Sequence, residues 1–169
     1  DRVRHLDVTP SDPAFGNQWP LNNTGTAGGF VGADIKALAA WDVIREAPNV
    51  IVAVVDTGVN LTHQDLVDNL WHDPTLPATS VNYHGANFVG GRGGIVSGRP
   101  LDDGGHGSHV AGIIGAAANN NVAVAGVAWK VQIMAVKVFP GSGSGSVADI
   151  AAGVNYAIAK GAHIINASY

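Results

Sequence analysis

Cysteine is absent from the 169 residues, which excludes both a disulfide framework and a thiol nucleophile. Charge is scarce too: 13% of residues are Asp, Glu, Lys or Arg, the formal net charge is −4, and Lys and Arg form no cluster. Nucleic acid and an acidic membrane surface are therefore excluded as main partners. No apolar run reaches the ~20 residues that cross a bilayer, so no membrane span is expected. The chain opens at Asp1 with neither an initiator Met nor a signal-peptide pattern, as expected of a processed or excised segment. What the chain has in quantity is apolar surface, at 46% hydrophobic residues, and glycine, 23 in number. That suffices for one well-buried domain and is short for two.

The most informative stretch is Asn49 to Asn60, NVIVAVVDTGVN. Ile51 to Val55 are β-branched or small without polar alternation, the pattern of a parallel strand buried on both faces. It stops at Asp56, with Thr57 and a turn-permitting Gly58 behind it. In open α/β sheets functional groups gather just beyond the carboxyl ends of such strands; an aspartate there also fits as the cap of the next turn. From Asp102 the chain reads DDGGHGSHVAGIIGAAA. Gly107, Ser108, Ala111, Gly112 and Gly115 predict a helix pressed closely against another element, since close packing has to outweigh the poor helix propensity of glycine. His106 falls in its first turn, where the helix dipole is expected to hold the imidazole neutral and able to accept a proton. A loop histidine bonded to backbone is the plainer alternative.

The remaining pattern is an alternation of strands and helices. Residues 1–33 carry turn residues throughout and predict an irregular arm that wraps the domain. Asp34 is placed to cap a helix with Ile35, Leu38, Ala39 and Val43 inward and Pro48 beyond its end. Thr62, with Asp65 three residues on, predicts a second helix over THQDLVDNLW with Leu66 and Leu70 on one face. A long glycine- and proline-rich excursion over 72–105 leaves room for one short strand near Ala86 to Val89. VQIMAVKV and HIINAS read as two more buried strands. Between them Ser146 caps a helix whose apolar stripe is Val147, Ile150, Ala151, Val154 and Ile158, stopped by Gly161. The expected fold class is α/β, a doubly wound parallel sheet. His109 sits three residues after His106 without the spacing of four or the glutamate of a zinc helix, and is read as structural. His5, His63, His72, His84 and His163 fall into no ligand spacing.

Taken in order, VIVAVVDTGVNLTHQDL, GHGSHVAGIIGA, AVKVF with GSGSGS behind it, and GAHIINASY resemble the subtilisin-like serine proteases, the subtilase family. The resemblance runs over Asn49 to Tyr169. It implies a subtilisin-like three-layer fold, incomplete at its C-terminal side, with residues 34–169 as the N-terminal part of the peptidase domain. It also implies a serine-type endopeptidase acting on polypeptides through an Asp-His-Ser triad, here with Asp56 as the aspartate and His106 as the general base. No G-T-S-x-A motif occurs, and Asn166 does not stand in for the oxyanion-hole asparagine, so the nucleophile is expected on a second segment or chain. This chain alone is then inactive. The alternative is a truncated, non-catalytic peptide-binding or assembly module.

By the same resemblance Gly143, Ser144 and Gly145 match the segment that pairs with an extended substrate, and Ser168 the start of a specificity-pocket wall. Asp12 and Asp65, the Asn120 side chain, and the carbonyls of Ala117, Val122 and Val124 match the ligands of a structural Ca²⁺, six hard oxygens. Asp65 also fits as the capping partner of Thr62, and Asn120 as a turn residue. The separation of Asp56 and His106, 50 residues, exceeds that of the compact members, with the extra length in the glycine-rich excursion. A secreted or lumenal setting comes from the resemblance alone.

Overall fold

The computed structural model describes residues 8–26 and 29–169; residues 1–7 of the expected arm, His5 among them, and residues 27–28 lie outside the described residues. The elements in chain order are α1 (Ala37–Trp41), β1 (Glu46–Asp56), β2 (Gly85–Asn87), α2 (His106–Gly115), β3 (Lys130–Lys137), α3 (Val147–Ala159) and β4 (Ile164–Asn166). The four strands form one parallel sheet in the order β2-β3-β1-β4. Val52 lies opposite both Ile133 and Ile164, and Asp56 opposite Lys137, so the carboxyl ends of the two central strands are level.

The unbroken apolar runs divide by the two-residue period of a strand. Val52 and Val54 of β1, with Val131, Ile133 and Ala135 of β3, face one core layer shared with Val110 and Ala111 of α2. Ala53 and Val55, with Met134 and Val136, face the opposite layer, which holds Phe88 and Ala157 of α3. A helix on each face makes the sheet doubly wound, as expected. β4 is an edge strand rather than a buried one, with Ile164 53% exposed.

The four expected helices differ in detail. α1 is a single short turn that buries Ala37 and Trp41, while Ile35 and Val43 are exposed. Asp34 instead accepts the N–H groups of Asn23 and Lys36, and Pro48 lies within β1. Residues 62–71 form only a 3-10 turn at Val67–Asn69, and Thr62 Oγ1 donates to Asn60 rather than capping a helix; Leu66 and Leu70 are buried as anticipated. In α3 the predicted cap is present, Ser146 Oγ accepting the Asp149 N–H at 3.1 Å. Its fully buried side is Gly153 and Ala157; of the predicted stripe, Ile150 and Val154 pack against the core while Val147, Ala151 and Ile158 are exposed. In α2, Gly107, Ala111 and Gly115 face the sheet, whereas Ser108 and Gly112 do not.

The described part of the arm is anchored by an aromatic cluster of its own. Phe15 and Leu21 pack with Ala37, Trp41, Ala125 and Trp129, Trp41 lies 5.2 Å from the Trp129 ring, and Trp41 Nε1 donates to Val127 O. Gln18 bonds both the N–H and the carbonyl of Ala125. The glycine-rich excursion is held at α3, where the buried Asp149 accepts the N–H groups of Gly90 and Gly93. Those bonds, that of Gly93 foremost, hold the Asp149 carboxyl below its usual range despite partial burial.

Candidate active site

β1 ends in the interior, so its last residue, Asp56, is only 2% exposed. The chain then turns at Gly58, whose φ of 103° and proximity to the Pro100 and Leu101 carbonyls leave no room for a side chain. α2 returns to the same point. Gly107 lies so close to the Gly58 carbonyl that any Cβ there would overlap it and would stand 3.2 Å from Asp56 Cβ. The close approach brings His106 Nδ1 to 2.8 and 3.0 Å from the two Asp56 oxygens. A carboxylate only accepts, so Nδ1 carries the proton and Nε2 presents a lone pair. The imidazole is half exposed, at 56%, above a carboxylate at 3%.

The helix-dipole expectation for His106 does not hold. The hydrogen bond to Asp56, then the Asp56 charge, raise the imidazole above its ordinary value of 6.5, with a smaller upward push from Asp102. The opposite charge in contact outweighs the partial charge of the helix end.

Asp102, Thr57 and Lys137 complete the surroundings; the sequence reading assigned none of them. The Asp102 carboxylate accepts from Thr57 Oγ1 (2.8 Å), the N–H groups of Gly104 and Gly105 (3.0 and 2.8 Å), and the Ser108 N–H and Oγ (2.8 and 2.5 Å). Burial pushes Asp102 up, but the Ser108, Gly104 and Thr57 bonds prevail and hold it at about 2. Thr57 Oγ1 in turn accepts the Gly107 N–H. Lys137, buried at the end of β3, donates to Thr57 O and to Asp103 Oδ1, both at 2.5 Å. An acidic residue shortly before a helix start was the available signal for Asp102.

The other predicted residues fall into two groups. Gly143, Ser144, Gly145 and Ser168 are all exposed. Gly143 is in a turn, its N–H bonded to Pro140 O, so this segment is not extended over its whole length. Gly145 abuts the Phe139 ring, which makes an edge contact with Tyr169 at 4.8 Å; Phe139 thus brings the two segments to one place. Ser168 Oγ donates to Asn166.

Asp12 and Asp65, 4% and 1% exposed, hold the loop 117–124 from two separate earlier segments of the chain. Asp12 accepts the N–H of Asn119 and Asn120. Asp65 accepts the Asn120 Nδ2 and the Val124 N–H, and its own carbonyl takes the Ala117 N–H. Asp65 is therefore not the capping partner of Thr62. Asn119, Asn121 and Ala123 have positive φ, which winds the loop tightly around Asn120. Among the described residues no three His, Asp or Glu side chains converge as a metal cluster, and no helix is long and apolar enough to cross a membrane.

A doubly wound parallel sheet with a His–Asp pair where β1 ends beside α2, the imidazole oriented by a buried carboxylate, defines the class of α/β folds equipped for acid–base chemistry at the strand ends. Within that class the chain belongs to the subtilase family, whose model matches residues 47–169. It is 39% identical over 168 residues to a cell wall-associated protease of Bacillus subtilis, covering 98% of this chain and 17% of that protein. To thermitase of Thermoactinomyces vulgaris it is 34% identical over 160 residues, covering 95% and 47%. A solved protease structure from Pseudoalteromonas arctica superposes with a TM-score of 0.72 at 29% identity, over 96% of this chain and 51% of that one. The chain thus spans less than half the length of these two curated relatives.

Proposed function

We propose that this chain is the Asp- and His-bearing part of a calcium-stabilised, subtilisin-like serine endopeptidase. The observation that carries the reading is the 2.8 Å contact from His106 Nδ1 to a nearly inaccessible Asp56, in a subtilase-family domain. His106 Nε2 takes the proton of a serine hydroxyl as it attacks the scissile carbonyl and returns it to the leaving amine. Asp56 holds the ring in the productive tautomer and stabilises its cationic form. The serine and the oxyanion donor come from a segment or chain outside these 169 residues, which contain no G-T-S-x-A. An extended polypeptide lies along Gly143 to Gly145, with Ser168 at its other side. In the serine-bearing protein, Asp56→Asn and His106→Ala each abolish peptide hydrolysis; substantial turnover by either variant removes the assignment.

The residues around loop 117–124 fit a hard cation. Asp12 and Asp65 are buried carboxylates matched by N–H donors, and among the described residues neither has a cationic partner. Asp12, Asp65, Asn120 and the carbonyls of Ala117, Val122 and Val124 would hold Ca²⁺, with Asn120 turning its oxygen inward. The ion supplies a structural cross-link between arm and domain. Chelation is expected to lower the melting temperature and open the arm to proteolysis; no change in either would show that no such ion is bound.

A further inference from the structure

We infer that Asp102 is the positioning residue for His106: its carboxylate ties the end of β1 to the first turn of α2 and sets a second negative charge beside the imidazole. The inference rests on the reading of Asp56 and His106 as the working pair, and it assigns the origin of their geometry.

Asp102 Oδ1 binds Thr57, the residue directly after Asp56, together with the Gly104 and Gly105 N–H groups just before His106. Its Oδ2 binds both donors of Ser108, two residues after His106. The two oxygens therefore grip the chain on both sides of His106 and, through Thr57, the strand that bears Asp56. The N-cap position of α2 is Gly105, which has no side chain to offer, so Asp102 takes the Ser108 N–H of the first turn in its place. Thr57 closes the circuit by accepting the Gly107 N–H. A carboxylate with five donors from three segments is well determined in place, and charge-assisted bonds are about twice as strong as neutral ones. The charged and titratable groups around this point are Asp56 on β1, Lys137 on β3 with its partner Asp103, and His109 on α2. Lys137 is already committed to Asp103 and Thr57 O, so the Asp102 charge faces His106 without a cation of its own. This is consistent with the upward push on His106 from Asp102.

The test is Asp102→Asn. The amide can keep the Oδ1 bonds but offers no second acceptor to the Ser108 N–H, and it removes the charge. The His106 ring is titrated by NMR in this chain, at low salt and near 1 M, and kcat and KM are measured in the serine-bearing protein. The expected result is a downward-shifted His106 midpoint, a shift that shrinks at high salt, and a kcat reduced by about tenfold to a hundredfold with KM little changed. A folded Asp102→Asn protein with the parental midpoint and kcat overturns the inference. Asp56→Asn serves as the reference: if it leaves the His106 midpoint where it was, the pairing of Asp56 with His106 fails on its own account. If Asp102→Asn does not fold, Thr57→Val decides. It cuts the carboxylate from β1 but keeps the charge, so kcat falls while the midpoint stays near the parental one; an undiminished kcat overturns the inference.

Discussion

Two glycines five residues apart in α2 are predicted to respond to the same substitution with opposite signs. At Gly107 a Cβ meets backbone, the carbonyl of Gly58, and stands 3.2 Å from Asp56 Cβ. Neither neighbour is a flexible side chain that could swing aside, so the helix itself has to retreat. Gly→Ala in a helix is worth about 0.8–1.0 kcal/mol in propensity, against about 1–3 kcal/mol for overpacking a tight contact. A Cβ driven into a backbone oxygen puts the overlap at the top of that range, so it wins, and Gly107→Ala is destabilised by about 2 kcal/mol. At Gly112 nothing lies within 4 Å of an added Cβ. Only the propensity gain remains, and Gly112→Ala is stabilised by about 0.5–1 kcal/mol. At about 2–4 °C per kcal/mol for a chain of this size, the two melting curves lie on either side of the parent, separated by several degrees. Function separates them further. A retreat of about 1 Å at His106 costs on the order of a hundredfold in turnover, whereas Gly112→Ala leaves the His106 contact alone. Circular dichroism melts of the three proteins suffice for the stability arm. A Gly107→Ala protein as stable as the parent would refute the claim that contact with the end of β1 determines the small residues of α2.

The pH dependence follows from the raised His106. Its imidazole accepts a proton only when neutral, so the acid limb of kcat/KM in the serine-bearing protein is expected above 6.5; a limb below that value contradicts the Asp56 contact. The same shift contributes folding stability fully present below pH 6.5 and lost as pH rises through the folded-state value, which NMR titration of His106 checks directly. Trp41→Ala, at a position 2% exposed, is expected to cost about 3–5 kcal/mol and to make residues 8–26 the first site of limited proteolysis. Ser146→Ala removes the one side-chain cap of α3 and is expected to cost about 1 kcal/mol in urea denaturation.

The strands were legible because burial on two faces leaves a mark that no other environment does: runs such as IVAVV and IMAV with no polar residue in them. The helices were legible in extent but less so in orientation, and α2 and α3 show why. In both, the closest approach to the sheet is made by the smallest residues, Gly107, Ala111 and Gly115 in one and Gly153 and Ala157 in the other. Reading α2 by its small residues therefore found most of the inner face, while reading α3 by its large apolar stripe found only its flank, Ile150 and Val154. A Cβ on Gly153 would stand 2.5 Å from Val138 Cγ1 and 3.0 Å from Val136 Cγ1, a separation that excludes Val147 or Ile158 from that surface. The helix expected over 34–43 is shortened to Ala37–Trp41, and that over 62–71 is reduced to a 3-10 turn, for a different reason. Asp34 and Asn60 bond local N–H groups in turns of their own, the competition that makes Asp and Asn good turn formers and poor helix residues.

The site illustrates what residue type leaves open. Asp12, Asp56, Asp65, Asp73 and Asp149 are all buried, and each accepts at least one backbone N–H: from Asn119, Thr57, Val124, Thr75 and Gly93 respectively. By local pattern they are alike, aspartates at the edges of turns that organise the loop beside them. What sets Asp56 apart is a second, long-range partner that titrates near neutral pH, fifty residues away in the chain, and a glycine at 107 that lets the two meet. Asp73 has a long-range partner too, Lys160 at 2.6 Å, but a lysine in an ion pair has no proton to exchange at neutral pH. Among the described residues Asp12 and Asp65 face only amide donors, which is why a hard cation, rather than proton transfer, is proposed for them. The chemistry assigned to each carboxylate thus follows from the partner that faces it. That partner is fixed by the packing of whole elements, and only for Asp56 did the sequence carry its mark in a second motif.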